Sequence, residues 1–126
     1  PDFELLKELE RAAQALGLPY NVGVTITKDS FYSQTRPETK PVGEEIVSRW
    51  KAYEAGGATS TSMECSVLFL VAASLGIRSA SVLVSATDYK QDGEGNRKPL
   101  SDLEDRVIRV GIEAMKSIIR GDMKKR

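Results

Sequence analysis

A short polar segment carries four side chains of the types that recognise a flat heterocyclic ring. Phe31 and Tyr32 form an aromatic pair, and Gln34 and Arg36 follow shortly after. A primary amide both donates and accepts hydrogen bonds, whereas a guanidinium only donates. Together they match an edge that displays a carbonyl, an N–H and a carbonyl, as uracil does, and an aromatic face can stack on a base or sugar. The alternative is a solvated loop with one buried aromatic, and the spacing alone favours that alternative.

A second group of residues, Thr61-Ser62-Met63-Glu64, precedes an apolar segment. Glu64 is expected in the first turn of a helix, where a carboxylate gains from the positive end of the helix dipole. Its two oxygens can also accept hydrogen bonds from the two hydroxyls of a vicinal diol. The alternative is a capping box, in which Thr61 and Glu64 satisfy backbone N–H groups at the helix start. The composition of the segment does not separate the two.

A third group, Thr87-Asp88-Tyr89, follows a predicted strand. Ligands of α/β proteins bind beyond the carboxyl ends of strands, so Asp88 is a candidate acid. The alternative is a residue of an N-terminal turn, and Asp88 taken alone favours that alternative.

The elements that would hold these groups alternate between helices and strands. The apolar periodicity predicts helices at residues 3–16, 42–55, 63–75 and 101–121, and strands at residues 20–27 and 79–86. Asp2 is the predicted cap of the first helix, and residues 56–62 are a predicted small-residue turn. Helix 63–75 is apolar nearly all round, which predicts burial. The order of elements predicts an α/β fold with too few strands for an independent sheet.

The composition excludes several classes of protein. Among 126 residues, 18 basic and 18 acidic side chains leave no net charge, which argues against a nucleic-acid or membrane surface. There is no histidine and Cys65 is the single cysteine, so imidazole-based sites, a disulfide framework and a multi-thiolate metal site are excluded. No apolar run approaches the roughly 18 residues of a membrane-spanning helix. A cytoplasmic protein is therefore predicted.

Taken together, the motifs resemble the C-terminal half of the uridine phosphorylases, which belong to the hexameric and trimeric nucleoside phosphorylase family. The resemblance covers most of the chain, from about residue 20 to residue 121. It is carried by Gly23-Val24-Thr25, Asp29-Ser30-Phe31-Tyr32, Gln34 with Arg36, Ser62-Met63-Glu64-Cys65, Gly76-Ile77-Arg78 and Ser85-Ala86-Thr87-Asp88.

The resemblance implies a pentosyltransferase that cleaves uridine with inorganic phosphate, giving uracil and ribose 1-phosphate, with no further cofactor and no metal. It implies that Phe31 packs on the nucleoside and that Gln34 and Arg36 read uracil. It also implies that Met63 lies under the ribose and that Glu64 accepts hydrogen bonds from the sugar hydroxyls. A carboxylate on the diol can strengthen its hold as positive charge develops on the sugar.

The chain departs from the family pattern at three positions. Ser62, a candidate substrate-binding residue, stands where a second glutamate is usual, and Tyr89 stands where many bacterial uridine enzymes carry an arginine. Asp88 falls where purine-specific members keep the acid that protonates the base, which makes it a candidate catalytic residue beside Glu64. Asp88 therefore keeps a purine base as an alternative, whereas Gln34 and Arg36 favour uracil.

The family's phosphate site is built from an N-terminal Gly-rich turn, arginines and a Thr-containing loop, and these motifs have no counterpart in this sequence. The basic residues Lys28, Lys40 and Arg78 are scattered along the chain.

The resemblance predicts that residues 1–126 form the C-terminal part of a single nucleoside phosphorylase domain. Its fold would be three-layered, with a central mixed sheet flanked by helices. The expected partners are a missing N-terminal half, a pyrimidine nucleoside, phosphate and further copies in a homo-oligomer, hexameric by family. The alternatives are a non-catalytic nucleoside-binding module and a purely structural domain.

Overall fold

The computed structural model of the chain describes residues 1–31, 36–85 and 100–124, with side chains described from residue 102 in the last helix. The helices are α1 (Phe3–Ala15), α2 (Gly43–Ala55), α3 (Cys65–Ser74) and α4 (Leu100–Lys124), the strands are β1 (Val24–Thr27) and β2 (Ala58–Ser62), and a 3-10 turn covers Pro37–Thr39. The predicted α/β class is confirmed. Within the described ranges, no helix combines the length and apolarity needed to cross a bilayer.

The two strands are parallel, and their carboxyl ends lie side by side. A parallel pair needs a long crossover connection, which here contains the helix α2. The paired residues are Val24 with Ala58, Thr25 with Ser60, Ile26 with Thr61 and Thr27 with Ser62. The pairing continues one residue further, because the backbone N–H of Lys28 donates to the carbonyl of Ser62 at 2.9 Å. The segments after both strands therefore start from the same edge of the sheet.

The strand β2 lies where the sequence predicted a turn. Its residues, Ala58-Thr59-Ser60-Thr61-Ser62, carry no alternation of apolar and polar side chains, so the periodicity gave no signal. The strand forms because β1 supplies a hydrogen-bonding partner. The predicted turn at residues 56–62 is therefore wrong from residue 58 onward.

The strand predicted at residues 79–86 is not observed over residues 79–85, and residue 86 lies outside the described residues. Val82 and Val84 do alternate with small side chains, as in a strand. A strand also needs a neighbour, and the described sheet contains only β1 and β2. The backbone of this segment is held at its start, where the N–H of Asp2 donates to the carbonyl of Ser79 at 2.6 Å.

The main core lies between α1 and α4. Asp2 caps α1 as predicted, because its Oδ1 accepts a hydrogen bond from the N–H of Leu5 at 2.9 Å. Gly121, the predicted end of the last helix, does not terminate it: α4 runs on to Lys124, and Gly121 lacks the positive φ of a helix-ending glycine. The buried side chains are small or branched, which lets the helices approach closely: Ala12, Ala13, Val110 and Ala114, with Leu9, Leu16, Leu18 and Val82 packed around them.

The helix α3 is apolar but largely uncovered. Only Cys65 and Ala72 are buried, whereas Leu70 is 70% exposed and Val67 is 61% exposed. The described residues cover one side of the helix, chiefly at β1. The residues that the structure describes therefore do not supply the burial on all faces that the apolar pattern predicts. Exposed apolar surface of this extent is typical of an interaction face.

Candidate functional site

An open cleft of about 1550 Å³ runs along the two strands, between the helices α1 and α4 and the residues that follow the carboxyl ends of the strands. It brings together most of the described candidate residues. Phe31 comes from the segment after β1, and Ser62, Met63 and Glu64 come from the end of β2 and the residues that lead into α3. These residues are more than 30 positions apart in the sequence, so it is the strand pairing that assembles them.

The start of α3 is capped by side chains other than Thr61 and Glu64. The N–H of Cys65 donates to Ser62 Oγ at 3.4 Å, and the N–H of Ser66 donates to Thr27 Oγ1 at 3.0 Å. The helix begins at Cys65, with Glu64 itself in the cap position and making no side-chain cap bond. Thr61 still belongs to β2. The capping-box interpretation of this motif is therefore wrong, which leaves the role of the Glu64 carboxylate to be explained.

Glu64 is exposed at the cleft. Its Oε2 accepts a hydrogen bond from the backbone N–H of Met63 at 3.0 Å, and Met63 is 41% exposed. That contact fixes the orientation of the carboxylate at the helix start, where the helix dipole favours a negative charge. The remaining acceptor positions of a carboxylate are suited to hydroxyl donors.

Phe31 and Lys28 lie close together in the segment that follows the end of β1. Phe31 is 47% exposed, and the Nζ atom of Lys28 lies 5.3 Å from the centroid of its ring. This distance is typical of a cation–π interaction. Partial burial lowers the pKa of Lys28, because an ammonium group loses hydration in the cleft. The sequence predicted a role for Phe31 and none for Lys28.

Arg36 lies on the same loop in a backbone conformation that few side chains adopt, with φ of 51° and ψ of 59°. Its carbonyl accepts two hydrogen bonds from Thr39, one from the N–H at 3.0 Å and one from Oγ1 at 2.8 Å. The loop is closed by Gly43, where a Cβ atom would lie 2.3 Å from the Pro37 carbonyl oxygen. Among the described residues Arg36 is exposed and does not line the cleft.

Two candidate residues, Gln34 and Asp88, lie outside the described residues, as do Tyr32, Thr87 and Tyr89. The structure adds two threonines to which the sequence assigned no role in the site. Thr27 caps the start of α3, and Thr25, two positions earlier on β1, lines the cleft. The Oγ1 atom of Thr25 is buried and has no hydrogen-bond partner in the described part of the chain. No three acidic or cysteine side chains of the described ranges come close enough to hold a metal ion.

The chain belongs to the phosphorylase superfamily, since the model of that family matches residues 1–120. This confirms the resemblance found from the motifs. In the structure, the cleft along the parallel strand pair is lined by Phe31 and by the Met63-Glu64 pair, which the resemblance singled out.

The chain is similar to several individual nucleoside phosphorylases. The chain is 31% identical over 126 residues to the uridine phosphorylase of Treponema pallidum (strain Nichols), a match that covers 97% of the chain and 47% of the relative. It is 28% identical over 123 residues to the uridine phosphorylase of Escherichia coli (strain K12), covering 94% of the chain and 48% of the relative. A purine nucleoside phosphorylase DeoD-type from Colwellia psychrerythraea (strain 34H / ATCC BAA-681) is 33% identical over 93 residues, 74% of the chain and 35% of the relative. The chain spans about half the length of the uridine phosphorylases that it matches.

Proposed function

We propose that the natural protein containing these residues is a nucleoside phosphorylase that acts on uridine or a closely related pyrimidine nucleoside. This chain would supply the base- and ribose-binding residues. The observation that carries the proposal is the position of Glu64. Its carboxylate lies in the same cleft as Phe31 and does not cap the helix that follows it. The names of the matched relatives support the same reaction class.

In the proposed reaction, an oxygen of inorganic phosphate forms a bond to the anomeric carbon. The bond between that carbon and the base nitrogen breaks with its electron pair moving onto the base, which takes up a proton. Positive charge develops on the sugar in the transition state, so a carboxylate that holds the two ribose hydroxyls stabilises it. Glu64 has this role, Met63 lies under the ribose, and Ser62 lies at the edge of the same subsite.

The comparisons leave two classes of base open, because relatives named for uridine and for purine nucleosides both match. In the proposal, Phe31 packs on the nucleoside, and Gln34 with Arg36 reads the carbonyl and N–H edge of uracil. Asp88 would serve as the acid for the base, which is the role that a purine substrate would need most. No cofactor beyond phosphate as co-substrate enters this reaction.

The exposed apolar side chains of α3 indicate that a further polypeptide segment packs on this helix. Leu70 and Val71 of α3 are at least half exposed, and the matched uridine phosphorylases are about twice as long as the chain. We expect the other half of the same protein to cover α3. The same half would supply the phosphate site, because Lys28, Lys40 and Arg78 are too scattered to bind phosphate together. Without such a half, the chain would be the non-catalytic nucleoside-binding module.

Calorimetric titration of the full natural polypeptide with uridine and with inosine tests the base assignment. The double variant Gln34→Ala, Arg36→Ala should lose uridine affinity, at about 1–3 kcal/mol for each hydrogen bond removed. A double variant Ser48→Ala, Arg49→Ala on α2, outside the cleft, is the matched control and should bind uridine as the parent does. Unchanged uridine affinity in the first variant would refute the uracil readers. Preferential binding of inosine by the parent would refute the pyrimidine assignment.

A further inference from the structure

Lys28 lies in the chain between the paired residues of β1 and Phe31, the aromatic side chain that lines the cleft. It directly follows β1, and its backbone N–H is bound to the carbonyl of Ser62 at 2.9 Å. Ser62 is the residue before the Met63-Glu64 pair. The backbone of Lys28 is therefore fixed at the carboxyl edge of the sheet, where the segment that leads to Phe31 and the segment that leads to Glu64 both begin.

The side chain of Lys28 extends over the ring that is proposed to pack on the nucleoside. Its Nζ atom lies 5.3 Å from the centroid of Phe31, and both residues line the cleft that also contains Glu64. A base that stacks on this face of Phe31 must take the place of the ammonium group. A cation–π contact at a partly exposed site contributes little free energy, so a base can displace the ammonium group from the ring. The flexible side chain of the lysine can then place the ammonium group at the edge of the base.

We infer that Lys28 is a base-binding residue of the nucleoside site, whose ammonium group donates to a carbonyl oxygen of the base. The inference rests on the proposed function. A lysine only donates hydrogen bonds, so it suits a base that presents carbonyl oxygens rather than amino groups. When the glycosidic bond breaks, the electron pair moves onto the base and spreads to those oxygens. The ammonium group therefore interacts more strongly with the departing base than with the bound nucleoside.

The partial burial of Lys28 adds to this effect. Its pKa is lowered by desolvation, which means that the ammonium group has lost part of its hydration in the cleft. A cation that is incompletely hydrated gains more from a new negative charge than one in bulk water does, since the local dielectric is lower.

The test compares two substrates in the full natural polypeptide, with phosphate in excess and rates taken from single turnovers. Uridine and 5-fluorouridine differ in that fluorine withdraws electrons and already stabilises the base anion. Lys28→Met should slow uridine cleavage by about 10- to 100-fold, and 5-fluorouridine cleavage by clearly less. Lys28→Arg, which keeps the charge, should retain most of the rate. Lys51→Met, an exposed lysine of α2 outside the cleft, is the matched control and should leave both rates unchanged.

The outcomes separate this inference from the proposed function. Equal losses for both substrates, or an unchanged uridine rate in Lys28→Met, would overturn the role of Lys28 while leaving the phosphorylase proposal intact. Tighter uridine binding with an unchanged rate would also overturn it, by showing that the lysine merely shields Phe31. A parent protein that cleaves no nucleoside would overturn both.

Discussion

The Oγ1 atom of Thr27 accepts a hydrogen bond from the backbone N–H of Ser66 at 3.0 Å, across a sequence separation of 39 residues. The contact joins the last residue of β1 to the first turn of α3. Met63 and Glu64 lie directly before that turn, so their position depends on the bond. An orphan N–H at a helix start is otherwise left to water or to a local cap.

Replacing Thr27 by valine tests this relationship, because valine keeps the shape of threonine and lacks the hydroxyl. We expect Thr27→Val to lower the free energy of unfolding by about 1 kcal/mol, the usual effect of losing a helix cap, and to weaken uridine binding. Thr27→Ser keeps the hydroxyl and should behave as the parent does. Urea unfolding followed by circular dichroism measures the first effect. Equal stability of Thr27→Val and Thr27→Ser would contradict it.

Gly43 closes the loop that carries Arg36. A Cβ atom there would lie 2.3 Å from the backbone oxygen of Pro37, so Gly43→Ala must open the turn and displace Arg36. The variant should lose about 1–3 kcal/mol of stability, as overpacked sites do, and should raise KM for uridine. Gly111→Ala is the control, because that position in α4 has open space and alanine favours helix. A Gly43→Ala protein with the stability and KM of the parent would show that the loop is not held there.

The packing of α1 on α4 should depend on pH through Glu8, whose side chain is 15% exposed. A hydrogen bond with Ser117 is the main cause that holds the pKa of Glu8 below its usual value, against the opposing effect of burial and with help from Arg11 and Lys7. A depressed carboxyl pKa contributes stability above the unfolded-state pKa of about 4.3. That contribution is lost as the pH falls through the lower folded-state pKa.

The expected result is that Ser117→Ala reduces the loss of stability between neutral pH and about pH 3, since the pKa of Glu8 moves back toward its unfolded value. Urea midpoints at several pH values measure it. Ser48→Ala, on α2 and away from this pair, provides the reference curve. Parallel pH profiles for parent and Ser117→Ala would contradict the assignment.

Leu70 tests whether α3 is covered in the natural protein. It is 70% exposed here, and truncation of an exposed side chain usually changes stability by less than about 0.5 kcal/mol. If another part of the natural polypeptide covers the helix, Leu70→Ala should instead lower stability by about 2–5 kcal/mol. Lys51→Ala on the exposed face of α2 is the control. A small effect of Leu70→Ala, equal to that of the control, would argue against coverage of α3.

The sequence predicts those parts of the fold that depend on interactions between residues close together in the chain. The cap at Asp2, the helix α1 and the end of α2 before Gly56 follow from side-chain preferences within a few residues. The strand β2 could not be predicted, because its serine and threonine side chains carry no pattern and its existence depends on β1. At residues 79–85 the sequence has the alternation of a strand, but no strand forms there because the described residues offer no neighbouring strand to pair with.

The candidate site likewise contains some residues that the sequence indicates and others that only the folded structure brings in. Phe31, Met63 and Glu64 were found from their motifs, and the cleft contains all three. The Thr-x-x-Glu pattern also suggested a capping box, which was wrong because β2 extends through Ser62 and delays the helix to Cys65. Thr27 gave no signal, since its contact with Ser66 joins residues that are 39 positions apart in the sequence. Lys28 gave none either, because its contact with the nearby Phe31 belongs to no motif that the sequence singled out. The predicted roles of all the candidate residues remain predictions, and Gln34 and Asp88 also lie outside the described residues.

The central claim is that Glu64 holds the sugar of a nucleoside during phosphorolysis. Its most direct test is the rate at which the full natural polypeptide releases uracil from uridine in the presence of phosphate. We predict measurable release by the parent, a fall of about 100-fold or more in Glu64→Gln, the scale seen when one group that stabilises a transition state is removed, and no change in Glu44→Gln, an exposed glutamate of α2 outside the cleft. A parent that releases no uracil, or a Glu64→Gln protein as fast as Glu44→Gln, would contradict the claim.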